Sequence, residues 1–413
     1  MSTETINTLV VGGGQAGLAM SEHLRDNGVE HLVLERDRIA ERWRTNRWDS
    51  LVANGPAWHD RFPTKEFGDI GGDGFPTKHS VTAYFEEFAE QINAPIRCGI
   101  EVLSAEKEQS GSGFLVETTQ GTIKAQNIVA ATGPFQHPVI PPVVPNDVDV
   151  LQMHSTAYRN PDQLPEGAVM VVGAGSSGSQ IADELLRSGR KVYLSVGPHD
   201  RPPRSYRGKD FCWWLGVLGK WEMKTPPAGR EHVTIAVSGA YGGHTVDFRE
   251  LAERGMNLCG MTQAYKDGTL TFASDLATNI KEGDDNLLSL LAEADDYVTA
   301  QALDLPLEEE AKTIRPEPQS MTNPTLSIDL AVEGISTIIW ATGFKQDFGW
   351  LKVDAFHEDG RPDHVDGVSK QDGIYFLGLP WLSMRGSSFI WGVWVDAKHL
   401  GQHIAGRNKS QDL

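Results

Sequence analysis

The sequence has 413 residues, of which 39% are hydrophobic and 23% are charged, a composition typical of a globular protein with two or three domains. It carries 37 basic and 56 acidic residues, and the resulting net charge of −19 disfavours nucleic acids and anionic membranes as partners. Its apolar stretches are too short for a transmembrane helix. The cysteines form neither a CxxC motif nor a disulfide framework, and the N-terminus resembles no export signal. We therefore expect a soluble, cytoplasmic protein.

The first predicted elements repeat later in the chain. A strand over 8–11 leads into a GxGxxG motif, and a helix and a second strand over 31–34 follow. The same order returns with a strand over 169–172, a second GxGxxG motif, a helix and a strand over 192–194. Each copy predicts a βαβ nucleotide-binding unit. The motif glycines are Gly12, Gly14 and Gly17 in the first copy and Gly173, Gly175 and Gly178 in the second.

Between and after these units the pattern predicts further elements. These are a helix over 81–92, a hairpin over 114–123, a strand ending at Thr132-Gly133, helices near 246–254 and 285–302, and a strand over 336–341. The fold class is therefore α/β, with two nested Rossmann-like dinucleotide-binding domains. We predict a discontinuous FAD-binding domain over 1–163 and 335–413. The interrupting NADPH-binding domain covers 164–334 and includes a helical insertion.

The first glycine loop predicts the kind of nucleotide that it binds. Its glycines permit a tight turn and a close approach of a pyrophosphate to the helix N-terminus, which begins with Gln15 and Ala16. Glu35 ends the second strand, where a carboxylate accepts hydrogen bonds from ribose hydroxyls and repels a 2′-phosphate. This pattern predicts FAD. The alternative is that Glu35 is only a solvated strand end.

The second unit has a different residue at the position of that carboxylate. Ser195 stands there, and Arg201 and Arg204 follow it, while Ser176 and Ser177 begin the helix after the loop. A hydroxyl and guanidinium groups suit a 2′-phosphate, so this unit is predicted to prefer NADPH. The alternative is that these arginines, with Arg207, only solvate a loop, and the sequence does not decide which arginine binds the phosphate.

Several motifs together resemble those of a known family. These are the two GxGxxG units, the strand ends Ala131-Thr132-Gly133 and Ala341-Thr342-Gly343, and His154-Ser155 with Tyr158. They resemble the class B single-component flavin-dependent monooxygenases, which include N-oxidising, S-oxidising and YUCCA-like enzymes. Val148 and Val150 occupy the phenylalanine and glycine positions of the family's full signature. That departure argues against a Baeyer–Villiger enzyme.

The resemblance also implies roles for single residues. The segment from Glu41 to Pro63 resembles the stretch that covers the flavin, and within it Asn54 matches an asparagine beside the reactive flavin edge. A carboxamide can donate to and accept from an oxygen intermediate without protonating it. Asn54-Gly55-Pro56 is alternatively an ordinary turn. Further cofactor-binding residues implied by the resemblance are Arg36, Trp43, Thr132, Gly133, Ala341, Thr342, Gly343 and Gly378.

The resemblance implies an FAD-dependent, NADPH-consuming monooxygenase. It would insert one oxygen atom of O2 into a small organic substrate through a C4a-(hydro)peroxyflavin. Two alternatives stay open: an NADPH-dependent flavin reductase or oxidase without oxygen transfer, and a non-catalytic dinucleotide-binding module. The expected partners are a small-molecule substrate and O2, with no metal. A homodimer and the site of oxygenation, at N, S or C, are left open.

Overall fold

The computed structural model of the chain describes residues 3–68, 70–109, 113–224 and 234–411. In these residues the larger sheet has ten strands, and Glu4–Val11 lies near its centre between Gly121–Ala130 and His31–Glu35, parallel to both. Leu9 and Val10 of this strand are fully buried, as expected for a strand with both faces covered. The other strands are Ile96–Cys98, Val102–Lys107, Phe114–Thr118, Leu351–Lys352, His364–Val365, Val368–Ser369 and Ile374–Phe376.

The smaller sheet is parallel throughout. Across the described ranges its five strands run in the order Asn257–Cys259, Val192–Ser195, Ala168–Val172, Ile335–Trp340 and Leu151–His154. The predicted range 164–334 leaves out the last two of these strands. The strand Ile335–Trp340 pairs in register with Ala168–Val172 and with Leu151–His154. The repeated strand-Thr-Gly ending therefore closes the second unit as it closes the first, and this unit extends further on both sides than predicted.

Helices cover the two sheets. In chain order they are α1 Gln15–Asp26, α2 Glu41–Thr45, α3 Lys78–Gln91, α4 Ser176–Arg187, α5 Phe211–Val217, α6 Phe248–Glu253, α7 Leu276–Ala300, α8 Gln319–Thr322 and α9 Ile390–Gln411. Of these, α1 packs against α9, which brings the C-terminal helix beside the first glycine loop. No helix in the described ranges is long and apolar enough to cross a bilayer.

Local sequence explains several element boundaries. Helix α3 matches the predicted 81–92, and Thr77 begins it by accepting a hydrogen bond from the Ser80 N–H. Helix α7 starts at Leu276, earlier than predicted, and α5 lies where no helix was predicted. The signal for α5 is Asp210, whose side chain accepts from the Cys212 N–H as an N-cap.

Short antiparallel pairs complete the described fold. They are His137–Pro138 with Phe344–Lys345, Ser205–Tyr206 with Lys209–Asp210, Val237–Ser238 with His244–Thr245, and Thr262–Lys266 with Thr269–Phe272 and Ser327–Asp329. The first pair connects the segments that follow the Thr-Gly endings of both units. The carboxyl ends of the two sheets are therefore linked by hydrogen bonds.

Candidate coenzyme and active site

The two glycine loops have the same internal geometry. Gly12 and Gly173 have φ values of +115° and +104°, which only glycine adopts readily. A Cβ at either glycine would lie 2.5 Å from the carbonyl oxygen of the alanine that follows the neighbouring strand, Ala131 or Ala341. A Cβ at Gly17 would overlap the Gly12 carbonyl oxygen. Gly178 has the same relation to Gly173, so the sequence repeat is a repeat of three-dimensional contacts.

The middle glycine of the first loop has a different environment. A Cβ on Gly14 would meet no atom within 4 Å, so open space lies above the N-terminus of α1. The first turn of α1 contains no acidic residue, and its N–H groups can therefore hold an anion. The loop fits a dinucleotide diphosphate.

The second loop is partly covered by a crossing segment. Ser176 Oγ donates to the Ile235 carbonyl at 2.7 Å, and a Cβ on Gly175 would lie 3.1 Å from Thr234 Cγ2. Ser177 is half-buried in the first turn of α4, which also contains no acidic residue. This loop can bind a diphosphate in the same way as the first loop.

Glu35 lies beside the first loop, as its position in the sequence predicts. Its Oε2 accepts a hydrogen bond from the Gly13 N–H at 2.6 Å, and its Oε1 accepts from the Asp37 N–H at 2.9 Å. This carboxylate is in the right place to accept from ribose hydroxyls. The neighbouring Arg36 is exposed and lies 3.4 Å from Asp37.

The residues predicted to hold a 2′-phosphate are engaged elsewhere. Ser195 is buried, donates to the Gly260 carbonyl at 2.9 Å and accepts from Thr262. Arg201 is 3% exposed, and its Nη2 lies 2.8 Å from Asp284. Because buried ion pairs are costly to break, Arg201 does not reach outward in this structure. Its predicted role at the phosphate stays a prediction that requires this pair to open.

Arg204 has a different position from the predicted one. It is 7% exposed, and its Nη2 donates to Asp210 at 2.6 Å. The guanidinium carbon lies 4.4 Å from the ring centre of Phe211 and 4.9 Å from that of Phe75. Its Nη1 donates to the backbone carbonyl of Asn54 at 2.7 Å. The structure therefore places Arg204 against the predicted catalytic asparagine.

The side chain of Asn54 contacts the second unit. Gln180 on α4 donates from Nε2 to Asn54 Oδ1 and to the Val237 carbonyl, both at 2.8 Å. Since a carbonyl only accepts, the Val237 contact fixes the orientation of the Gln180 amide. Gln180 Nε2 must then face the oxygen of Asn54, which leaves the Asn54 NH2 group directed away from Gln180. Gln180 Oε1 is buried and has no hydrogen-bond partner among the described residues.

An aromatic cluster begins a few residues after Asn54. Asp60 accepts from the Gly55 N–H at 2.9 Å and lies 2.7 Å from His59 Nδ1. The His59 ring lies 5.3 Å from the Trp221 ring and 5.7 Å from the Trp391 ring, measured between centroids. This cluster limits the access of water to the Asn54 loop from that side.

Both Thr-Gly strand ends are held by local hydrogen bonds. Gln136 donates to Thr132 Oγ1 and to the Gly133 carbonyl, each at 2.9 Å. In the second unit Thr342 donates to the Val139 carbonyl, and His154 Nε2 lies 3.0 Å from the Gly343 carbonyl. Burial lowers the pKa of His154.

The predicted residue Gly378 contacts the first loop. It has a φ of +80°, and a Cβ there would lie 2.9 Å from the Cβ of Ala16. Gln15 Nε2 donates to the Ser388 carbonyl at 2.9 Å, just before α9. The C-terminal segment therefore lies against the start of α1, as the sequence suggested.

Two arginines of the 41–63 segment were missed as candidates. Arg42 donates to the Gln136 carbonyl at 3.1 Å, and Arg47 lies 5.7 Å from the ring centre of Trp43 and 5.3 Å from that of Phe135. Burial, together with the charge of Arg42, lowers the pKa of Arg47 to about 10. In the described ranges neither arginine forms an ion pair with a carboxylate. Both are available to a diphosphate.

Two matched dinucleotide loops, with a carboxamide held between their units, define the class of two-domain flavoproteins that bind FAD and a nicotinamide coenzyme. The part of the chain that the structure describes contains no group of His, Cys, Asp and Glu side chains suited to a metal ion. Residues 9–210 match the family described as pyridine nucleotide-disulphide oxidoreductase. The absence of a CxxC motif separates this chain from a dithiol mechanism.

Relatives of known sequence define the family. The chain is 34% identical over 402 residues to an uncharacterized oxidoreductase CzcO-like of Geobacillus kaustophilus, covering 96% of this chain and 97% of the relative. It is 30% identical over 400 residues to the indole-3-pyruvate monooxygenase YUCCA1 of Oryza sativa, covering 92% and 88%. The fold is similar to that of a flavin-containing monooxygenase from Stenotrophomonas maltophilia, with a TM-score of 0.66, 18% identity and coverage of 98% and 99%.

The chain therefore belongs to the class B flavin-dependent monooxygenase family, and the predicted resemblance is confirmed. It is an enzyme, a flavin-containing monooxygenase, and its cofactors are FAD and NADPH.

Proposed function

We propose that this enzyme uses NADPH and O2 to transfer one oxygen atom to a small organic substrate. FAD would bind at the first glycine loop and NADPH at the second. The observation that carries this proposal is the hydrogen bond between Asn54 and Gln180. It joins a carboxamide of the flavin-covering segment to the helix that follows the second loop, so the group suited to oxygen chemistry lies where the two units meet.

The residues of the chain would share the work in the following way. The N–H groups of α1 hold the FAD diphosphate, and Glu35 accepts from the adenosine ribose. Bound FAD supplies the redox chemistry, taking a hydride from NADPH and passing electrons to O2. The NH2 group of Asn54 donates a hydrogen bond to oxygen without releasing a proton, because its carbonyl oxygen is already occupied by Gln180. The aromatic cluster around His59 keeps water from the site.

The experiment measures the balance between NADPH, O2, hydrogen peroxide and product. Amines, thioethers and ketones form the substrate panel, together with indole-3-pyruvate, because the rice relative is named for that compound. We expect one of these classes to stimulate NADPH oxidation, to lower peroxide release and to acquire an ¹⁸O atom from ¹⁸O2. Complete recovery of the NADPH electrons as peroxide with every substrate would identify a flavin oxidase or reductase instead. A protein that binds both nucleotides without oxidising NADPH would be a binding module.

A further inference from the structure

A cavity of about 500 Å³ lies between the second unit and the turn that precedes α9. Phe211, Leu215, Ile235 and Leu290 provide apolar surface, and the charged lining residues are Asp200, Lys220, Glu293 and Arg385. Arg385 comes from the C-terminal segment, whereas the others belong to the second unit or its insertion. A cavity of this size, largely apolar with a few polar groups, is typical of small-molecule sites.

The charges in this cavity are not equally paired. Lys220 Nζ lies 2.8 Å from a carboxylate oxygen of Glu293, so these two neutralise each other. Arg385 Nη2 lies 3.7 Å from Asp200, beyond hydrogen-bond distance, although the Arg385 side chain is only 16% exposed. Among the described residues the guanidinium has no hydrogen-bond acceptor. Buried guanidinium groups normally have such partners, so Arg385 has unused capacity for an anion.

Main-chain contacts fix Arg385 in this position. Its N–H donates to the Met223 carbonyl at 2.9 Å. The same turn ends at Ser388, whose carbonyl accepts from Gln15 in the first glycine loop. The guanidinium is therefore carried by a turn that touches the predicted FAD site.

The apolar surface of the cavity continues toward Asn54. Phe211, Leu215 and Leu290 belong to one buried cluster, and Trp58 and Trp391 pack against it. Trp58 follows Asn54 by one turn of chain. A ligand anchored at Arg385 can thus extend its apolar part along this surface toward the proposed reaction site.

We propose that this cavity binds the substrate of the proposed monooxygenase, and that the substrate is a small organic acid with an apolar body whose carboxylate pairs with Arg385. This inference rests on the proposed function for the word substrate. The planar guanidinium matches a carboxylate with two parallel hydrogen bonds. Asp200 would lie beside the bound carboxylate and weaken its binding, since like charges repel.

The test measures ligand binding to the FAD-loaded enzyme by calorimetry, without NADPH. The probes are phenylacetate and 3-phenylpropanoate, with uncharged phenylacetamide and cationic phenethylamine for comparison. We expect at least one acid to bind more tightly than the amide and the amine. Arg385→Gln should weaken that binding by about 10- to 150-fold, and Arg361→Gln, a change to an exposed arginine paired with Asp359, should leave it unchanged.

A second variant keeps the test decisive if Arg385→Gln does not fold. Asp200→Asn removes the facing negative charge, and we expect it to strengthen acid binding by about two- to fivefold. The proposal is overturned if neither acid binds, if the amide or amine binds as tightly as the acid, or if neither variant changes acid affinity.

Two further outcomes separate this inference from its alternatives. If NADP⁺ displaces the acid and also loses affinity in Arg385→Gln, the anion recognised here belongs to the coenzyme and the inference fails. If acids bind through Arg385 but none receives oxygen, the cavity is an acid site while the proposed oxygenation fails. Oxygenation of an amine with no acid binding gives the opposite result, in which the proposed function stands and this inference is wrong.

Discussion

Arg204 donates from Nη1 to the main-chain carbonyl of Asn54 at 2.7 Å, across 150 positions of sequence. The guanidinium also pairs with Asp210 and stacks near Phe75 and Phe211. Such a buried and fully engaged group is built to hold a loop in place. The sequence suggested a phosphate ligand at this position, but the contacts describe an anchor for the candidate catalytic asparagine.

We predict that Arg204→Lys raises the fraction of NADPH electrons released as hydrogen peroxide. An ammonium group keeps the positive charge but cannot bond Asp210 in the bidentate manner and reach the Asn54 carbonyl at the same time. The Asn54 loop would shift, while the FAD loop is unaffected. The measurement is peroxide formed per NADPH oxidised, with bound FAD determined from its visible absorbance.

Arg201→Lys is the matched control, because Arg201 is equally buried but pairs with Asp284 and has no contact with Asn54. We expect this control to lose stability without changing the peroxide fraction. A selective loss of NADPH affinity in Arg204→Lys, with NADH affinity unchanged, would instead restore the 2′-phosphate role.

We predict that Asn54→Ala separates NADPH oxidation from oxygen transfer. Removing a preorganised donor at a site of developing charge costs about 2.7–4 kcal/mol, or roughly 10²- to 10³-fold in the rate of transfer. The rate of anaerobic flavin reduction should change little, because that step does not involve oxygen. Stopped-flow absorbance and product yield measure the two steps separately. A slowed reduction with normal coupling would contradict the assignment.

Gln180→Leu should have the same effect as Asn54→Ala but a smaller one. It removes the contact that orients the Asn54 amide and leaves the amide itself in place, and one neutral hydrogen bond contributes about 1 kcal/mol. In the double variant the effects should not add, because Gln180 acts through Asn54. Full additivity in product yield per NADPH would show that Gln180 acts on its own, for example through its unpaired Oε1 toward the coenzyme.

The repeated loops could be predicted because glycine requirements are local. Gly12 and Gly173 need positive φ values, and Gly17 and Gly178 have no space for a side chain; both constraints are visible in the sequence as fixed spacings. Asp210 as the N-cap of α5 was also readable in the sequence, although it was overlooked.

The Asn54 environment could not be predicted in the same way. Gln180 and Arg204 reach Asn54 across 126 and 150 positions, and only the packing of one unit on the other brings them together. Arg385 gives no local signal either, since its importance comes from the carboxylate that it fails to bond closely. Propensity and periodicity describe neighbours along the chain, whereas these contacts depend on how two units meet.

Two glycines of the first loop should respond differently to substitution. Gly14→Val places a side chain in space that is open in the protein, so we expect a folded enzyme that has lost FAD, with at least a tenfold weaker affinity. Gly17→Val drives a side chain into the Gly12 carbonyl and should destabilise the fold itself. Thermal unfolding and flavin content distinguish the two variants. Full FAD retention in Gly14→Val would remove the diphosphate from this loop.

The pH dependence of stability should show a contribution from His23, where α1 meets α9. His23 is 5% exposed, its ring lies 4.4 Å from the Trp394 ring, and its Nε2 has no hydrogen-bond partner in the described residues. Burial lowers its pKa to about 4. The unfolded chain, with an ordinary histidine pKa of about 6.5, therefore binds a proton before the folded protein does.

This difference fixes the sign of the effect. As the pH falls from the unfolded pKa toward the folded one, the unfolded state binds more protons and the free energy of unfolding decreases, by about 3 kcal/mol in total. His23→Gln should remove this contribution, while buried histidines with lowered pKa values such as His31 act equally in both proteins. Urea unfolding followed by circular dichroism between about pH 7 and pH 4 measures the difference. Parallel stability curves for the variant and the unmodified protein would show that His23 is not held neutral by its burial against Trp394.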